Sequence, residues 1–367
     1  SSDVCSSDLK AELSDGTSGM GASAGAEYAI NERGSFALNY ALTAENPDGY
    51  NTGRLGRLSA VSRYRFTDSA SVFAEGRYDH GDGPVGLTQG YGVDFAPLKN
   101  VQLGLRYDRG NLHDATGVAV RRQAVGVTAD YSDGGTHYST ALEHRTDDSG
   151  VQGHRSAWAV RNSLTVKPND DWRFYGKANV AFSSGDQSDT LDANYFEFVA
   201  AAAYRPVAND RLNLLAKYTF LYDRPSAAQL TGNLISSGYA QRSQVFAIDG
   251  TYQLTPVLAV GAKYALRVGQ LRSTTQPAAA WFSSKAEFVA VRADVRIVKE
   301  WDALIEARRL SVKESHDSRF GLLAGVYRHI GDHIKIGVGY NFSDYSDDLT
   351  DLSNRQKGVF LNFIGKF

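Results

Sequence analysis

Cysteine, methionine and proline are scarce in this chain of 367 residues, which contains one Cys, one Met and 8 Pro. The single cysteine is Cys5, so the chain offers no disulfide framework and no cysteine-based metal site. Its formal net charge of −2 gives no electrostatic case for binding nucleic acid. We therefore expect neither disulfides nor a nucleic-acid partner.

Long apolar runs are missing as well. No stretch approaches the roughly 18 consecutive apolar residues that a transmembrane helix needs. The N-terminal region also lacks the basic segment and apolar run of a secretory signal peptide. A membrane-spanning β-strand places its apolar residues only at alternate positions, so the mean hydropathy of −0.34 does not exclude such strands.

The first residues, SSDVCSSDL, look like translated sequencing-adapter sequence. We assign residues 1–20 to this scar and to the end of a truncated N-terminal region, and we exclude the adapter-like opening from fold reasoning. The expectation is that the chain is the C-terminal piece of a longer open reading frame, with residues 21–367 forming one β-barrel domain.

Aromatic residues and glycine are abundant: the chain contains 20 Tyr, 17 Phe and 36 Gly. Tyrosine and phenylalanine favour strands, and glycine marks turns. Polar and apolar residues alternate through most of the chain, as a half-buried strand requires. In RLNLLAKYTFLY (211–222), Leu214 and Tyr218 fall on one face, whereas Arg211 and Lys217 fall on the other.

This alternation predicts about 19 strands of roughly 9–13 residues, the length that a tilted strand needs to cross a bilayer. One segment is ambiguous, because WDALIEARRL (301–310) also fits a helix. Its strand pattern breaks at Arg308 and Arg309, where a β-bulge would restore the alternation.

The connections between these strands alternate in length. DGG (133–135) and GD (331–332) are short, whereas ENPDGYNTGR (45–54) and SDYSDDLTDLSNRQ (343–356) are long. Short turns at one rim and long loops at the other are typical of an outer-membrane barrel, and a β-sandwich has no reason to sort its loops in this way. The sequence therefore predicts an all-β fold, a transmembrane antiparallel up-and-down β-barrel.

The final stretch, GVFLNFIGKF, resembles the last strand of Gram-negative outer-membrane β-barrel proteins, which typically ends in phenylalanine after alternating apolar residues. The residues that match this C-terminal insertion signal are Val359, Leu361, Phe363 and Phe367. Gly365 departs from the pattern. The resemblance implies a bacterial outer-membrane location, contact with outer-membrane lipid and lipopolysaccharide, and recognition by the barrel-insertion machinery.

Bacterial barrels close with an even number of strands. A set of about 19 therefore predicts that at least one strand is missing and that the complete barrel has about 20 or more. KAELSDGTSG (10–19) would then be the end of that strand or its loop.

The polar face of the strands is rich in arginine and lysine. Two interpretations stay open: a basic wall that favours anions inside a pore, and salt-bridge ladders between neighbouring strands, with arginines meeting lipopolysaccharide near the rim. The candidate wall residues are Arg106, Arg122, Arg161, Arg173, Lys177, Arg211, Lys217, Lys263, Arg267, Arg292, Arg296 and Lys335.

Three further features have two interpretations each. The longest connection, 224–243, either folds inward or lies at the surface. The acidic group Asp344, Asp347, Asp348 and Asp351 either binds Ca²⁺ or is a solvated loop, and because it lacks the spacing of an EF-hand we predict the solvated loop. Aromatic residues near strand ends suit an interfacial girdle, although strand propensity alone also explains them. The examples are Phe66, Tyr204, Tyr222 and Tyr345.

The histidines fall in no recognisable nucleophile or metal motif, and there is no phosphate-binding loop, so we predict neither an enzyme nor a cofactor. The first functional hypothesis is a pore for passive diffusion of small solutes or anions. The second is the C-terminal membrane-anchoring barrel of a larger surface protein, which GYNFSDYSDDLTDL and the final strand resemble. The third is the barrel of a TonB-dependent transporter without its plug.

Overall fold

The structure is a computed structural model. It describes residues 7–16, 19–43, 55–81, 85–113, 117–151, 153–186, 194–224, 239–273, 280–298, 300–330, 334–343, 345, 349 and 358–365. Apart from one short 3₁₀ turn at Val207–Asn209, the regular structure within these ranges is β-strand. None of these residues belongs to a helix that is long and apolar enough to span a membrane.

The described residues form a sheet of 20 strands. In chain order they are β1 Ser7–Gly16, β2 Gly19–Ala29, β3 Gly34–Thr43, β4 Leu55–Thr67, β5 Ala70–Gly81, β6 Val85–Leu98, β7 Val101–His113, β8 Ala119–Asp133, β9 Thr136–Ser149, β10 Gly153–Val166, β11 Trp172–Gly185, β12 Asn194–Tyr204, β13 Leu212–Arg224, β14 Tyr239–Thr255, β15 Leu258–Ser273, β16 Phe282–Val298, β17 Trp301–Val312, β18 Asp317–Ile330, β19 Ile334–Asn341 and β20 Gly358–Gly365.

The topology is up-and-down. Each strand pairs in antiparallel register with the next strand along the chain, from β1 with β2 to β19 with β20. The first and last strands also come within contact distance of each other. A sheet whose two edges approach in this way has the geometry of a barrel, in which closure removes exposed edges. The predicted all-β up-and-down fold is confirmed.

Strand β1 was not among the strands that alternation predicts. It pairs with β2 over its whole length, from Ser7 opposite Tyr28 to Gly16 opposite Gly19. Residues 8–14 alternate between polar and apolar side chains, but the strand begins inside the adapter-like opening that was excluded from fold reasoning. This strand supplies the partner that β2 needs, and it brings the described total to an even number. The assignment of residues 1–20 to a scar and a truncated region stays a prediction.

The ambiguous segment at residues 301–310 is a strand, and the bulge expected there is absent. The register from β17 to β18 runs without a shift through Arg308 and Arg309. Arg308 is buried and faces inward, whereas Arg309 faces outward, with its guanidinium 5.5 Å from the centre of the Phe320 ring. Arg309 lies level with the exposed apolar residues Val289 and Phe320 of the neighbouring strands, and the contact with the Phe320 ring accommodates it on the outward face.

The two faces of the sheet differ sharply. One row across β6, β7 and β8 consists of Tyr91, Tyr107 and Val125, which are directly opposite one another and 39–46% exposed. The next row along the strands, on the other face, contains Arg106. An exposed apolar face on strands of this length is the surface that lipid covers.

The connections also follow the prediction. Intervals at one rim are short, as at 68–69, 134–135 and 256–257. The longest intervals, such as 225–238 and 342–357, all lie at the opposite rim. We call these the short-loop rim and the long-loop rim.

Candidate functional site: the inner wall of the barrel

An arginine with two carboxylate partners organises the inner wall of β5–β7. Arg106 Nη2 lies 2.6 Å from Glu75 Oε2, and Arg106 Nε lies 2.7 Å from Asp108 Oδ2. Glu75 is two strands away from Arg106, and Gly90 of the intervening β6 leaves the space for this contact. A Cβ atom at Gly90 would lie 2.6 Å from Asp108 Oδ1 and 2.9 Å from Arg106 Nη2. The glycine is therefore a steric requirement of the ion pair.

Further ion pairs extend this arrangement around the wall. Arg122 makes a two-pronged contact with Asp147, with Nε–Oδ1 at 2.7 Å and Nη2–Oδ2 at 3.0 Å. Arg145 approaches the same carboxylate at 3.3 Å. Similar inward pairs are Arg57–Asp79, Arg63–Asp94, Arg161–Glu143, Lys177–Glu197, Arg292–Asp294, Arg296–Asp302 and Arg308–Glu306.

Glu197 is the centre of a separate cluster on β11 and β12. Its Oε2 atom lies 2.8 Å from Lys177 Nζ and accepts hydrogen bonds from Tyr195 Oη at 2.8 Å and Asn179 Nδ2 at 3.2 Å. Three donors on one carboxylate fix its position. The cluster makes this part of the wall rigid.

The predicted wall residues thus fall into groups. Arg106, Arg122, Arg161, Lys177, Arg292 and Arg296 pair with carboxylates, which agrees with the salt-bridge interpretation. Lys263 lies with its Nζ 5.6 Å from the centre of the Phe288 ring. Lys335 lies in β19, where only its backbone is described.

Arg211 was expected on the wall, but it lies in the exposed turn before β13, because the paired register starts only at Leu212. Lys167 occupies a similar place at the end of β10. Its Nζ atom lies 2.7 Å from Asp170 Oδ1, and this hydrogen bond lowers the pKa of the Asp170 carboxyl below its usual value. Both cations belong to the short-loop rim.

Arg173 and Lys217 are exposed cations of the wall that form no ion pair with the described residues. Neither side chain contacts a carboxylate among the residues that the structure describes. They lie on β11 and β13, and only Ala201 and Ala203 of β12 separate them in register. Two water-exposed positive charges across a strip of alanine form an electropositive patch on the wall.

Arg267 is the third unpaired cation, and it is completely buried, at 0% exposure. Its Nη1 atom donates to Ser284 Oγ at 2.7 Å and its Nη2 atom to Gln241 Oε1 at 3.4 Å. Its Nε atom has no hydrogen-bond partner among the described residues. Burying a guanidinium without a carboxylate is costly, so some element must cover it.

Arg267 is in register with Val245 and Ala286, which belong to an apolar cluster that also includes residues from the interval between β19 and β20. Tyr345 and Leu349 are 5% and 4% exposed and join an apolar cluster on the inner wall. The Tyr345 ring meets Phe288 edge-on with ring centroids 6.5 Å apart, and Tyr345 Oη donates to the Arg319 carbonyl at 3.3 Å. We call Ser343, Tyr345 and Leu349 the lumenal segment. The wall residues of the cluster are Val245, Ala265, Ala286, Phe288 and Ala290.

This finding corrects one prediction. Tyr345 was expected in an interfacial girdle, but it turns into the barrel because an apolar patch on β14–β16 offers it a partner surface. Phe66 is exposed as a girdle residue would be. The acidic group Asp344, Asp347, Asp348 and Asp351 and most of the interval 224–243 lie outside the described residues. In the C-terminal strand, Val359 and Leu361 are on the outward, exposed face, and the role of this strand in insertion stays a prediction.

No protein-family model matches the sequence, and curated proteins include no significant sequence relative. Solved structures do match. A structure described as the copper transporter OprC has a TM-score of 0.54 at 10% identity, covering 98% of this chain and 73% of that one. The unliganded ferric citrate transporter FecA has a TM-score of 0.54 at 14% identity, covering 98% and 70%.

A third match is a ferric enterobactin receptor (PfeA) variant from Pseudomonas aeruginosa, with a TM-score of 0.54 at 10% identity, covering 93% of this chain and 69% of that one. At these identities the likeness concerns the fold. The chain has the fold of an outer-membrane β-barrel protein. Together with the exposed apolar face, this fold locates it in the bacterial outer membrane, as the final strand predicted.

Proposed function

We propose that the barrel provides a water-filled path for small polar solutes across the outer membrane. The observation that supports this is the width of the sheet combined with its polar inner face. A barrel of about 8 strands is filled by its own side chains, whereas one of about 16–18 strands leaves an aqueous channel. Twenty strands with charged residues along the inner face exceed what the wall side chains alone fill.

Two versions of this function differ in what else occupies the lumen. In the first, the lumen is an open pore for passive diffusion. In the second, the chain is the barrel of a transporter whose lumen is closed by a further domain. The second version is favoured by one observation: similar structures described as transporters or receptors extend well beyond the part that this chain covers.

Planar-bilayer recording of the refolded chain tests the path itself. A steady conductance together with passage of small sugars into proteoliposomes is the expected result. A silent bilayer, with the barrel shown to be inserted, would contradict the proposal and would leave the anchoring-barrel hypothesis. Recording the complete gene product then separates the two versions. An open pore should conduct as well at full length as the refolded chain does, whereas a lumen closed by a further domain should not.

The inner-wall charges predict a weak anion preference. Arg173 and Lys217 are exposed and unpaired within the described part of the wall, whereas most other wall cations are neutralised by carboxylates. In the double variant Arg173→Glu, Lys217→Glu, the reversal potential in a KCl gradient should move towards cation selectivity, because charged side chains lining a pore set its ion preference.

A matched control changes the same number of charges on the outer surface. Arg109 and Arg309 both face outward, so Arg109→Glu, Arg309→Glu should leave the reversal potential unchanged. An equal shift in both double variants would show that total charge rather than the lumenal position matters, and it would contradict the assignment of the wall.

A further inference from the structure

A cluster of two arginines and a tryptophan lies on the outward face at the long-loop rim. The Trp281 ring centre is 4.6 Å from the Arg242 guanidinium carbon and 4.9 Å from that of Arg272. Arg242 lies in β14, Arg272 lies in β15, and Trp281 immediately precedes β16. One aromatic ring therefore holds two positive charges close together, although like charges repel.

Neither guanidinium is neutralised. Arg242 Nε donates to Gln270 Oε1 at 2.7 Å, which is a neutral partner. Arg272 Nε is buried and has no hydrogen-bond partner among the described residues. Within the described ranges neither arginine contacts a carboxylate. The nearby outward carboxylate, Glu287, is already paired with Lys313 at 2.9 Å. Two cations stacked on one ring, with N–H groups available for hydrogen bonding, form a site that favours an anionic ligand.

The position of the cluster along the barrel axis indicates which anionic ligand it meets. On β14 the outward residues run from exposed Phe246 through Gln244 to Arg242, and on β15 they run from exposed Val268 through Gln270. Arg242 is thus about 13 Å along β14 from Phe246, and Arg272 is equally far along β15 from Val268. Since the strands are tilted, this places the cluster at the level of the polar headgroups.

We propose that Arg242, Arg272 and Trp281 bind a phosphate group carried by a lipid headgroup at the long-loop rim. Guanidinium groups bind phosphate through paired, charge-assisted hydrogen bonds. Stacking on the indole of Trp281 orients both guanidinium groups before the ligand binds. Tryptophan itself favours the membrane interface. The site is on the outer surface, so it does not depend on what passes through the lumen.

The test is binding of purified lipopolysaccharide to the refolded chain in detergent. The double variant Arg242→Gln, Arg272→Gln should bind it at least about tenfold more weakly, because each lost charge-assisted hydrogen bond to phosphate contributes about that factor. The matched control is Arg109→Gln. Arg109 also faces outward on a strand that ends at the long-loop rim, and it donates to Gln89 at 3.0 Å, but it stacks on no described ring.

Unchanged affinity in the double variant would overturn the proposal, as would an equal loss in Arg109→Gln. Lipopolysaccharide stripped of its phosphates should bind the original chain as weakly as it binds the double variant. Inorganic phosphate at millimolar concentration should compete only weakly. If it displaces lipopolysaccharide completely, the site binds free phosphate and the lipid assignment is wrong. Heat-modifiable gel migration confirms that each variant is folded.

Discussion

Replacing Tyr345 and Leu349 together with serine is expected to raise the single-channel conductance of the refolded barrel by about twofold or more, because a hydrophobic constriction is removed from the pore. Both side chains lie inside the barrel, packed on Phe288 and its apolar neighbours. Serine at these positions gains little from burial, so the lumenal segment loses its attachment to the wall. Planar-bilayer recording under the same salt conditions measures the change.

The matched control for this prediction is Phe342→Ser. Phe342 borders the same interval, but it is 52% exposed and contacts Tyr340 with ring centroids 4.5 Å apart. Its loss should leave the conductance unchanged. If Phe342→Ser widens the pore as much as the double variant does, or if neither changes it, the lumenal segment is not a constriction. Release of the segment should also expose Arg267 to water and strengthen the anion preference.

The Arg106→Ala variant is expected to lower the free energy of unfolding by about 2 kcal/mol, since hydrogen bonds to charged groups contribute about this much. Removal of the guanidinium leaves Glu75 and Asp108 largely buried without their cation. The side chain of Arg106 is about one-third exposed, so water compensates for part of the loss. Urea titration of the refolded barrel, followed by tryptophan fluorescence, measures the effect.

Arg173→Ala is the control, because it removes the same side chain from a position without a described partner. Its effect should stay within about 0.5 kcal/mol. A double-mutant cycle with Glu75→Gln and Arg106→Gln should give a coupling energy of about 1 kcal/mol. Equal effects of Arg106→Ala and Arg173→Ala would contradict the structural role of the ion pair.

Alternation in the sequence predicted most of the sheet, because lipid on one side and water on the other impose a period of two on every strand. The alternating stretch 211–222 forms most of β13, Leu212–Arg224. The short intervals at one rim followed from turn residues. Strand β1 was missed although its sequence, SDLKAELSDG, alternates, because it begins inside the opening that resembles adapter sequence, and its pairing with β2 identifies it as a strand.

The prediction of a β-bulge at Arg308 and Arg309 was wrong because it ignored the height of each residue along the barrel axis. Two consecutive arginines interrupt the strand pattern when every outward position is taken as lipid-facing. In the barrel, the outward face becomes polar near each rim, and Arg309 lies at the edge of that zone, level with Val289 and Phe320 and with its guanidinium beside the Phe320 ring. Position along the barrel axis therefore matters as much as the face, and it depends on the register of all strands.

The sequence could not predict which side chains contact one another in the candidate site. The contact between Glu75 and Arg106 crosses a whole strand at Gly90, and no local pattern links residues that are 31 positions apart. The lumenal segment was equally hidden, because Tyr345 and Leu349 lie in a polar, aspartate-rich interval. Their burial depends on an apolar patch that three strands form only once they are in register.

The most direct test of the central claim, that the charged face encloses a water-filled path, uses two adjacent leucines. Leu214 and Leu215 are 39% and 42% exposed, and they face lipid and lumen, respectively. Each is changed to cysteine in a Cys5→Ser background, and a charged, water-soluble thiol reagent is added during planar-bilayer recording. We predict a stepwise fall in conductance for Leu215→Cys and none for Leu214→Cys. Equal responses, or a response only at position 214, would contradict the account.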